Sequence, residues 1–298
     1  MAKWFFIVNS TAGNGRTGKK INDLINLLNQ ERFDFRIELT RYAKHGIELA
    51  REAALEGFEY IIAVGGDGTA SEVAGGIMSS GRSSEVKFGI IPEGGGNDFC
   101  RNFHLSSNLE KCLQQLIEGR ILPANMAKIE DNYVLNSLGI GFDAQAALYA
   151  NKIKWLNGLP RYMLAVFIAM LHFRNFRLRI IIDDEREIKG KFLLLAAGNG
   201  KFAGGGFKLT PDALVDDNYL DIMLAEDVTF LRLFKVLPKA LEGLHTSEKE
   251  VSIFRCRKLE VFSEIDLPLY FDGEIPDLNN KRHIKVELLS EKINLLVP

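Results

Sequence analysis

The stretch "YIIAVGGDGTASEVAGGI", residues 60–77, decides the fold. Its first five residues form a continuous apolar run, which is typical of a strand buried on both faces. The run stops at Gly65, Gly66 and Asp67, and a helix-like spacing of apolar residues follows. Because glycine permits tight turns and close approach of the backbone to a ligand, the stretch predicts a strand, a polar loop and a helix.

The N-terminal part of the chain repeats this order of elements. We predict strands at 4–8, 33–39, 60–64 and 87–92, alternating with helices at 18–30, 46–57, 70–80 and 109–119. This alternation is typical of a doubly wound α/β fold, in which helices cover both faces of a parallel sheet. Ligands of such folds bind at the carboxyl ends of the strands.

The chain changes character after Pro123, where short strand-like runs dominate. A helical insertion at roughly 144–173 interrupts them, and the runs predict an antiparallel sandwich or curled sheet. We therefore expect two domains, with a boundary near residues 120–126. The length of 298 residues fits this number of domains.

Composition narrows the classes of function. The net charge is −2, so we expect no nucleic-acid partner. The three cysteines form neither a disulfide framework nor a zinc motif, which suits a reducing cytoplasm. The N-terminus has too few apolar residues for a signal peptide. The longest apolar stretch, Tyr162–Leu171, is shorter than the about 20 residues that span a bilayer, so we predict a cytoplasmic protein.

The first glycine loop, "IVNSTAGNGRTGKK" at 7–20, fits two phosphate-binding patterns. Gly13, Gly15 and Gly18 satisfy G-x-G-x-x-G, and Glu38 ends the next strand, as in a Rossmann oxidoreductase. The loop also fits a P-loop, except that Lys20 replaces the Ser or Thr that holds magnesium. Both patterns indicate phosphate binding at a helix N-terminus, but an ordinary turn explains this loop equally well.

A third strand leads into "EGGGNDF", residues 93–99, where Asn97 and Asp98 follow three glycines. Three strands thus end in glycine-rich polar loops at one edge of the predicted sheet, which favours a nucleotide phosphate site. At this edge, Asp67 is a candidate to orient magnesium-bound water or a ribose. Thr69 is a candidate to cap the helix or to contact a phosphate.

The succession "GGDGT" and "PEGGGNDF" resembles the catalytic domain shared by diacylglycerol kinases, sphingosine kinases and bacterial lipid kinases. Further segments that resemble family motifs are "NSTAGNG" (9–15), "NSLGIGFDA" (136–144), "GNGKFAGGGFKLTPDALVDDNYLDI" (198–222) and "FDGE" (271–274). The resemblance implies an N-terminal α/β nucleotide-binding domain like that of NAD kinases and phosphofructokinases, and a C-terminal β-sandwich domain. We assign residues 1–125 to the first and 126–285 to a lipid-substrate domain, with 286–298 a candidate to return to the first.

The resemblance also implies an ATP-dependent kinase that transfers the γ-phosphoryl group to a hydroxyl of diacylglycerol or a related lipid. ATP would contact Asn9, Ser10, Thr11, Ala12, Gly13, Thr40, Gly65, Gly66, Asp67, Gly68, Thr69, Ala70, Ser71, Glu72, Gly95, Asn97 and Asp98. Gly95 departs from the family pattern, which has a threonine there, so one hydroxyl contact to the nucleotide is missing. Asn218 replaces a family glycine in "VDDNY" but tolerates the same turn.

A neutral alcohol is a weak nucleophile, so a carboxylate is expected to accept its proton. By resemblance this base is Glu274, with Asp272 as the next candidate, and strand alternation would point both carboxylates to one face. Mg²⁺ would bridge the phosphates near Asp67 and Asp98. A second, structural Mg²⁺ is implied at the Leu214 carbonyl, the Asp217 side chain and the Tyr219 carbonyl.

The residues around the helical insertion suggest a membrane partner. Lys152, Trp155 and Arg161 mix cationic and aromatic groups, which suits peripheral contact with a bilayer, and Tyr162–Leu171 is a candidate wall of an acyl pocket. A homodimer is a further candidate partner. Three alternatives stay open: a kinase of the same fold acting on a soluble substrate such as NAD, the Rossmann oxidoreductase, and a non-catalytic regulator.

Overall fold

The structure is a computed structural model that describes residues 3–153, 155–156, 158–172, 175–276, 278 and 281–298. The chain forms two compact units. The first contains Met1–Met126 and Leu289–Pro298, and the second contains Ala127–Leu288. Each unit is described by itself below.

The strands and helices follow each other in the order that the apolar runs predict for the N-terminal part. The strands are β1 Lys3–Val8, β2 Asp34–Leu39, β3 Tyr60–Gly65, β4 Lys87–Pro92, β5 Arg120–Ala124, β6 Ala127–Ile129, β7 Asn132–Val134, β8 Ser137–Gly141, β9 Phe176–Ile182, β10 Arg186–Gly198, β11 Leu220–Glu226, β12 Val251–Cys256, β13 Lys258–Ser263, β14 Leu269–Phe271, β15 His283–Leu288 and β16 Ile293–Val297. The helices are α1 Ala12–Lys19, α2 Ile21–Gln30, α3 His45–Leu55, α4 Asp67–Ser79, α5 Asp98–Arg101, α6 Leu109–Glu118, α7 Phe142–Lys152, α8 Gly158–His172 and α9 Phe230–Glu242. A 3₁₀ turn, Leu244–Ser247, follows α9.

The first unit is a six-stranded sheet in the order β2-β1-β3-β4-β16-β5. Neighbouring strands are parallel except at β5, which runs antiparallel to β16. One face packs Phe6 and Ile62 against Leu24 and Leu28 of α2 and against Leu116 of α6. Burial of each such side chain contributes about 1.5–3 kcal/mol to stability.

Helices α3 and α4 cover the opposite face of this sheet. The two helices approach closely because α4 carries Gly76, where an added Cβ would lie 2.3 Å from the carbonyl oxygen of Ile47. The Cβ of Ala50 in α3 would lie 2.7 Å from the same added Cβ. The sheet is therefore doubly wound, as the alternating sequence pattern predicts.

The second unit is built on a larger sheet in the order β12-β11-β10-β9-β13-β15-β6-β7, with β8 pairing β10 and β14. Alternation along β11 divides its side chains between two cores. Ile222 and Leu224 lie in the sandwich interior, whereas Met223 and Ala225 pack under the helices α7, α8 and α9. The second unit thus has a layer of helices on the outer face of its sheet.

Two features differ from the sequence-based expectations. Helix α9 falls within a region that we expected to hold only strands and one helical insertion. Strand β15 extends to Leu288 in the second unit, so the returning segment begins at Leu289 rather than at residue 286. Within the described ranges, the structure contains no helix that is both long and apolar enough to cross a bilayer.

Candidate active site

The loops that follow β1, β2, β3 and β4 meet at the carboxyl edge of the first sheet. Asn9, at the end of β1, donates from Nδ2 to Thr69 Oγ1 in α4 at 3.1 Å. The backbone N–H of Thr40 donates to the Val8 carbonyl at 3.0 Å, which places the end of β2 beside the end of β1. The structure therefore brings together the predicted nucleotide contacts from all four strands.

The second glycine loop (65–69) and the third glycine loop (93–99) touch each other through their backbones. A Cβ on Gly94 would lie 2.4 Å from the Gly66 Cα, and one on Gly66 would lie 3.2 Å from the Gly94 Cα. Gly65 is equally restricted, because a Cβ there would lie 2.5 Å from Thr69 Oγ1. Side chains are excluded from this part of the edge, so the surface consists of bare backbone.

The first glycine loop folds back as a left-handed segment within α1. Gly13, Asn14 and Gly15 have φ angles of 59°, 60° and 80°, a region that favours glycine and tolerates asparagine. A Cβ on Gly13 would lie 2.6 Å from the Glu93 carbonyl oxygen. This loop thus packs on the third glycine loop, and Ser10, Thr11 and Ala12 form the turn that enters it.

The lysines of the first loop do not occupy P-loop positions. Lys20 Nζ lies 2.7 Å from an Oε atom of the buried Glu93, so its charge is used within the protein. Lys19 is exposed. A P-loop needs a serine or threonine at position 20 and a lysine that contacts the phosphates, so this arrangement disfavours the P-loop alternative.

Asp67 and Asp98 converge on one glycine. A Cβ on Gly96 would lie 3.2 Å from Asp67 Oδ2 and 3.5 Å from Asp98 Oδ2. Burial raises the pKa of the Asp67 carboxyl, while nearby backbone N–H groups, including that of Phe99 at 3.1 Å, act in the opposite direction. Arg101 Nε lies 3.4 Å from Asp98 Oδ1. Two carboxylates on one side of a bare loop form a donor set for a divalent cation.

The N-terminus of α4 begins at Asp67, beside these acids. Gly68, Thr69, Ala70 and Ser71 follow in its first turns, so their backbone N–H groups lie at the positive end of the helix dipole. Such a terminus favours a phosphate group.

Two further residues of the predicted nucleotide set, Glu72 and Asn97, hold neighbouring segments in place. The Glu72 carboxylate accepts the N–H groups of Lys44 at 2.8 Å and Gly46 at 3.1 Å, and thereby caps α3. Asn97 Oδ1 accepts the Gly94 N–H at 2.9 Å and holds the third glycine loop in shape. Gly95, in the same loop as Gly94 and Asn97, lies in open space, with no atom within 4 Å of an added Cβ.

In the second unit, Asp272 is an internal anchor. Its carboxylate accepts the N–H groups of Leu135, Asn136 and Ser137 at 2.7–2.9 Å, and the side chain is 2% exposed. Strand β14 ends at Phe271, so the expectation of a strand with both carboxylates on one face is wrong. The left-handed φ angles of Asp272 (47°) and Gly273 (82°) instead make a tight turn of the type I′ kind.

Glu274 closes this turn and has different surroundings. Its N–H donates to the Phe271 carbonyl at 2.8 Å, and the Phe271 N–H donates back to the Glu274 carbonyl at 2.9 Å. The residue is exposed, in contrast to Asp272. The turn therefore separates a buried carboxylate from an accessible one, a distinction that the sequence does not make.

Asn136 joins the motifs of the second unit. Its carbonyl accepts the N–H of Asn199 at 2.7 Å, and its Nδ2 donates to the Phe202 carbonyl at 2.9 Å. Because Asp272 binds the same segment, the segments at 136–144, 198–222 and 271–274 meet at one point. Asn136 and Asn199 were not among the predicted site residues, although they are the first and the second residue of two quoted motifs.

The predicted structural cation loop contains Leu214, Asp217 and Tyr219. Asp217 Oδ1 accepts the Tyr219 N–H at 3.0 Å, and its Oδ2 forms an ion pair with Arg255. The described part of the chain contains no cluster of three acidic, histidine or cysteine side chains for a metal, and the cation at Leu214, Asp217 and Tyr219 stays a prediction.

A small apolar cavity of about 70 Å³ lies beneath the helices of the second unit. Its walls come from the sheet and from the helices α7, α8 and α9, and they include Leu194, Met223, Tyr162, Val166, Leu233 and Leu237. Asp143 also borders the cavity, and Tyr162 OH donates to the Asp143 carbonyl at 3.3 Å. Burial raises the pKa of the Asp143 carboxyl to about 7, and its Oδ2 has no hydrogen-bond partner among the described residues.

Comparison with known proteins places both units in one family. Residues 3–129 match the family model described as the diacylglycerol kinase catalytic domain, and residues 136–294 match the YegS C-terminal NAD kinase beta sandwich-like domain. The chain is 31% identical over 265 residues to a Chromohalobacter salexigens protein named "Probable lipid kinase YegS-like", covering 88% of this chain and 85% of that protein. A protein of Staphylococcus saprophyticus named diacylglycerol kinase is 29% identical, covering 94% of this chain and 93% of that protein.

The fold agrees with these matches. A crystal structure of a diacylglycerol kinase from Bacillus anthracis superposes with a TM-score of 0.81 at 24% identity, covering 99% of this chain and 97% of that chain. The chain belongs to the diacylglycerol kinase family. The predictions of this family, of a kinase, and of an α/β domain followed by a β-sandwich domain are therefore confirmed.

Proposed function

We propose that this protein is an ATP-dependent lipid kinase that transfers the γ-phosphoryl group of ATP to a hydroxyl of diacylglycerol or a related lipid. The observation that carries the proposal is the side-chain-free edge of the first sheet, where Gly66 and Gly94 touch and Asp67 and Asp98 face Gly96. The first unit is accordingly the nucleotide-binding domain, and the second is the lipid-substrate domain.

The glycine loops and the start of α4 bind the phosphates of ATP in this proposal. Backbone N–H groups at a helix N-terminus interact with phosphate at close range, and the missing side chains allow that approach. Asn9 and Thr40 border the same edge from the neighbouring strands. Gly95 leaves room where a threonine hydroxyl would contact the nucleotide.

Asp67 and Asp98 are the residues that would hold the Mg²⁺ of the nucleotide, because both carboxylates face the same bare glycine. The metal supplies charge neutralisation between the phosphate groups. The raised pKa of Asp67 is consistent with a buried carboxylate that gains from a nearby cation. The second cation, at Leu214, Asp217 and Tyr219, is structural in this proposal and takes no part in the reaction.

Glu274 is the proposed general base and Asp272 the residue that positions it. Glu274 is accessible to a substrate hydroxyl, whereas all contacts of Asp272 given above are to backbone N–H groups inside the protein. By fixing the turn at 271–274, Asp272 sets the position of Glu274. Removal of the hydroxyl proton as the new bond forms contributes about 10²–10⁴-fold to the rate of such reactions.

A lipid acceptor is supported by the apolar cavity under α8 and α9. The cavity is almost entirely lined by apolar side chains, which suits an acyl chain rather than a soluble substrate such as NAD. A volume of about 70 Å³ is too small for a whole chain, so these helices must shift outward to admit one. We place the enzyme in the cytoplasm, in peripheral contact with a membrane; a homodimer stays a prediction.

The test is incubation of the protein with labelled ATP, Mg²⁺ and a panel of lipids in detergent micelles, followed by chromatography of the products. We expect a phosphorylated lipid, and no product when Asp67→Asn replaces the wild-type protein. Labelled NADP from NAD, without any labelled lipid, would instead support the soluble-substrate kinase. Bound nicotinamide or flavin, visible in the absorbance spectrum, would support the oxidoreductase.

A further inference from the structure

The outer surface of the helical layer in the second unit is unusually apolar. The five most exposed large apolar side chains among the described residues all lie on or beside its helices: Trp155 (75%), Leu231 (73%), Phe234 (62%), Leu171 (60%) and Leu244 (57%). Single exposed apolar residues are ordinary, but a concentration of them in one layer marks an interaction surface.

The exposed apolar residues of α8 form a stripe. Met163, Phe167 and Leu171 are spaced four residues apart, so they lie along one side of the helix, and all three are exposed. Val166 and Ala169, on the other side, are buried in the core below. The core of the unit therefore does not use the stripe residues for its packing.

Helix α9 repeats this arrangement. Leu231 and Phe234 are exposed on its outer side, whereas Leu233 packs into the core beneath. Lys235 is exposed on the same outer side. We call the five outward residues of the two helices the apolar ridge: Met163, Phe167, Leu171, Leu231 and Phe234.

Four cations lie on the same face of the sheet as the helices. Phe192 of β10 packs in the sandwich interior, so its neighbour Lys191 lies on the opposite face of the sheet, the one that carries the helices. Strand pairing places Arg177 of β9 opposite Lys191, and Arg179 opposite Lys189. We call these four residues the basic block.

Like charges placed directly opposite each other on a sheet destabilise it. Glu187 lies 3.0 Å from Arg179 and 2.9 Å from Lys189, and Asp227 lies 2.7 Å from Lys191. Glu187 and Asp227 thus pair with three of the four cations, and Glu264 borders the same surface. Ion pairs this exposed contribute little. The basic block lines a groove of about 630 Å³, which leaves room for an anionic group.

We propose that the apolar ridge and the basic block form one membrane-docking face that binds a bilayer containing anionic lipids. The ridge inserts into the interface, and the block contacts negatively charged headgroups, since apolar side chains beside cations are what such a surface favours. This proposal rests on the proposed lipid kinase function. A docked bilayer would lie over α8 and α9, the helices that cover the apolar cavity.

The test is sedimentation of the full-length protein with vesicles of phosphatidylcholine, or of phosphatidylcholine mixed with phosphatidylglycerol. We expect the protein to bind the mixed vesicles at least about tenfold more tightly than vesicles of phosphatidylcholine alone. This binding weakens as salt is added. The double variant Leu231→Gln/Phe234→Gln loses most binding to both kinds of vesicle. The double variant Arg177→Gln/Lys191→Gln loses the preference for anionic vesicles and its salt dependence.

Matched control variants lie in the first unit, at residues that belong to neither the apolar ridge nor the basic block. Leu55→Gln removes an apolar residue that is 50% exposed, and Lys111→Gln removes an exposed cation. Both controls bind vesicles like the wild-type protein. Lipid phosphorylation in detergent micelles is measured in parallel, and the ridge variant retains it because its altered residues do not line the cavity.

Each other result overturns the proposal. Equal binding by the ridge variant and the wild-type protein shows that the ridge does not dock. A wild-type dimer that Leu231→Gln/Phe234→Gln dissociates shows that a second copy of the chain covers the ridge. If the wild-type protein does not phosphorylate lipid in micelles, the proposed function is rejected. Vesicle binding tests the docking face separately.

Discussion

Asp272 and Glu274 are two residues apart, yet their carboxylates have different surroundings. Three backbone N–H groups hold Asp272 in the interior, and Glu274 is exposed at the end of the same turn. The sequence predicts a carboxylate pair but does not separate the two roles. The reason is that the partners of Asp272 are at 135–137, far away along the chain.

Glu274→Gln is expected to reduce kcat by about 10²–10⁴-fold, because the proton acceptor is lost, and to change the melting temperature less than Asp272→Asn does. Asp272→Asn keeps the size of the side chain but sets an amide NH₂ against backbone N–H groups. We expect it to lower the free energy of unfolding by about 2–3 kcal/mol. Kinetics in lipid micelles and thermal unfolding of both variants check this division of roles. Normal turnover by Glu274→Gln would contradict it.

Asp143 makes the stability of the protein depend on pH. Burial raises its pKa from 3.8 to about 7, so between these values the folded protein keeps a proton that the unfolded chain has lost. Stability contributed by this group is therefore present at low pH and is lost as the pH rises toward 7.

Asp143→Asn removes this effect. We expect the variant to be more stable than the wild type by about 4 kcal/mol at pH 8 and to differ little near pH 4. Denaturant unfolding at the two pH values measures the difference. A variant that is equally destabilised at both would show that the carboxylate has a structural partner that an amide does not replace.

At the scale of elements, the glycine loops are the most constrained parts of the first unit. Gly94 touches Gly66, whereas Gly95 lies in open space and has no left-handed φ angle. Gly94→Ala is expected to cost about 1–3 kcal/mol of stability and to weaken ATP binding, because the two loops must separate. Gly95→Ala is the matched control and changes stability by less than about 0.5 kcal/mol. Thermal unfolding distinguishes the two variants, and calorimetry with ATP measures the weakened binding by Gly94→Ala.

Sequence patterns predict some elements of this chain better than others. The continuous apolar runs of β1, β3 and β4 identify those strands, since a strand buried on both faces has no polar alternation. Helix α9 was missed because Pro238 lies inside it, and proline usually ends a helix. Thr229, Leu233, Leu237 and Gly243 have the cap and core spacing of a helix, and they were the available signal.

Sequence patterns also predict one part of the candidate site better than the rest. The glycine loops are local in sequence, so their position at one sheet edge follows from the parallel strand order. The pairing of Asp217 with Arg255 joins β12 to a distant loop, and no local pattern indicates it. The caps formed by Glu72 on α3 are likewise tertiary contacts.

At the scale of the whole molecule, the first unit contains a strand from the far end of the chain. Strand β16 lies between β4 and β5, and Ile293, Leu295, Leu296 and Val297 are buried there. Removal of residues 293–298 deletes about 6–12 kcal/mol of apolar burial, which is comparable to the stability of a domain. We expect the first unit to be unfolded in this truncation, by circular dichroism and limited proteolysis. Removal of the exposed Pro298 alone is the control and leaves the unit folded.

The position of β16 also orders events on the ribosome. The nascent chain must emerge through the whole second unit before the strand that fills the gap beside β4 is made. Until then, the edges of β4 and β5 are open and the glycine loops rest on an incomplete sheet. Nascent chains of this protein should therefore acquire nucleotide affinity only after the second unit has been translated.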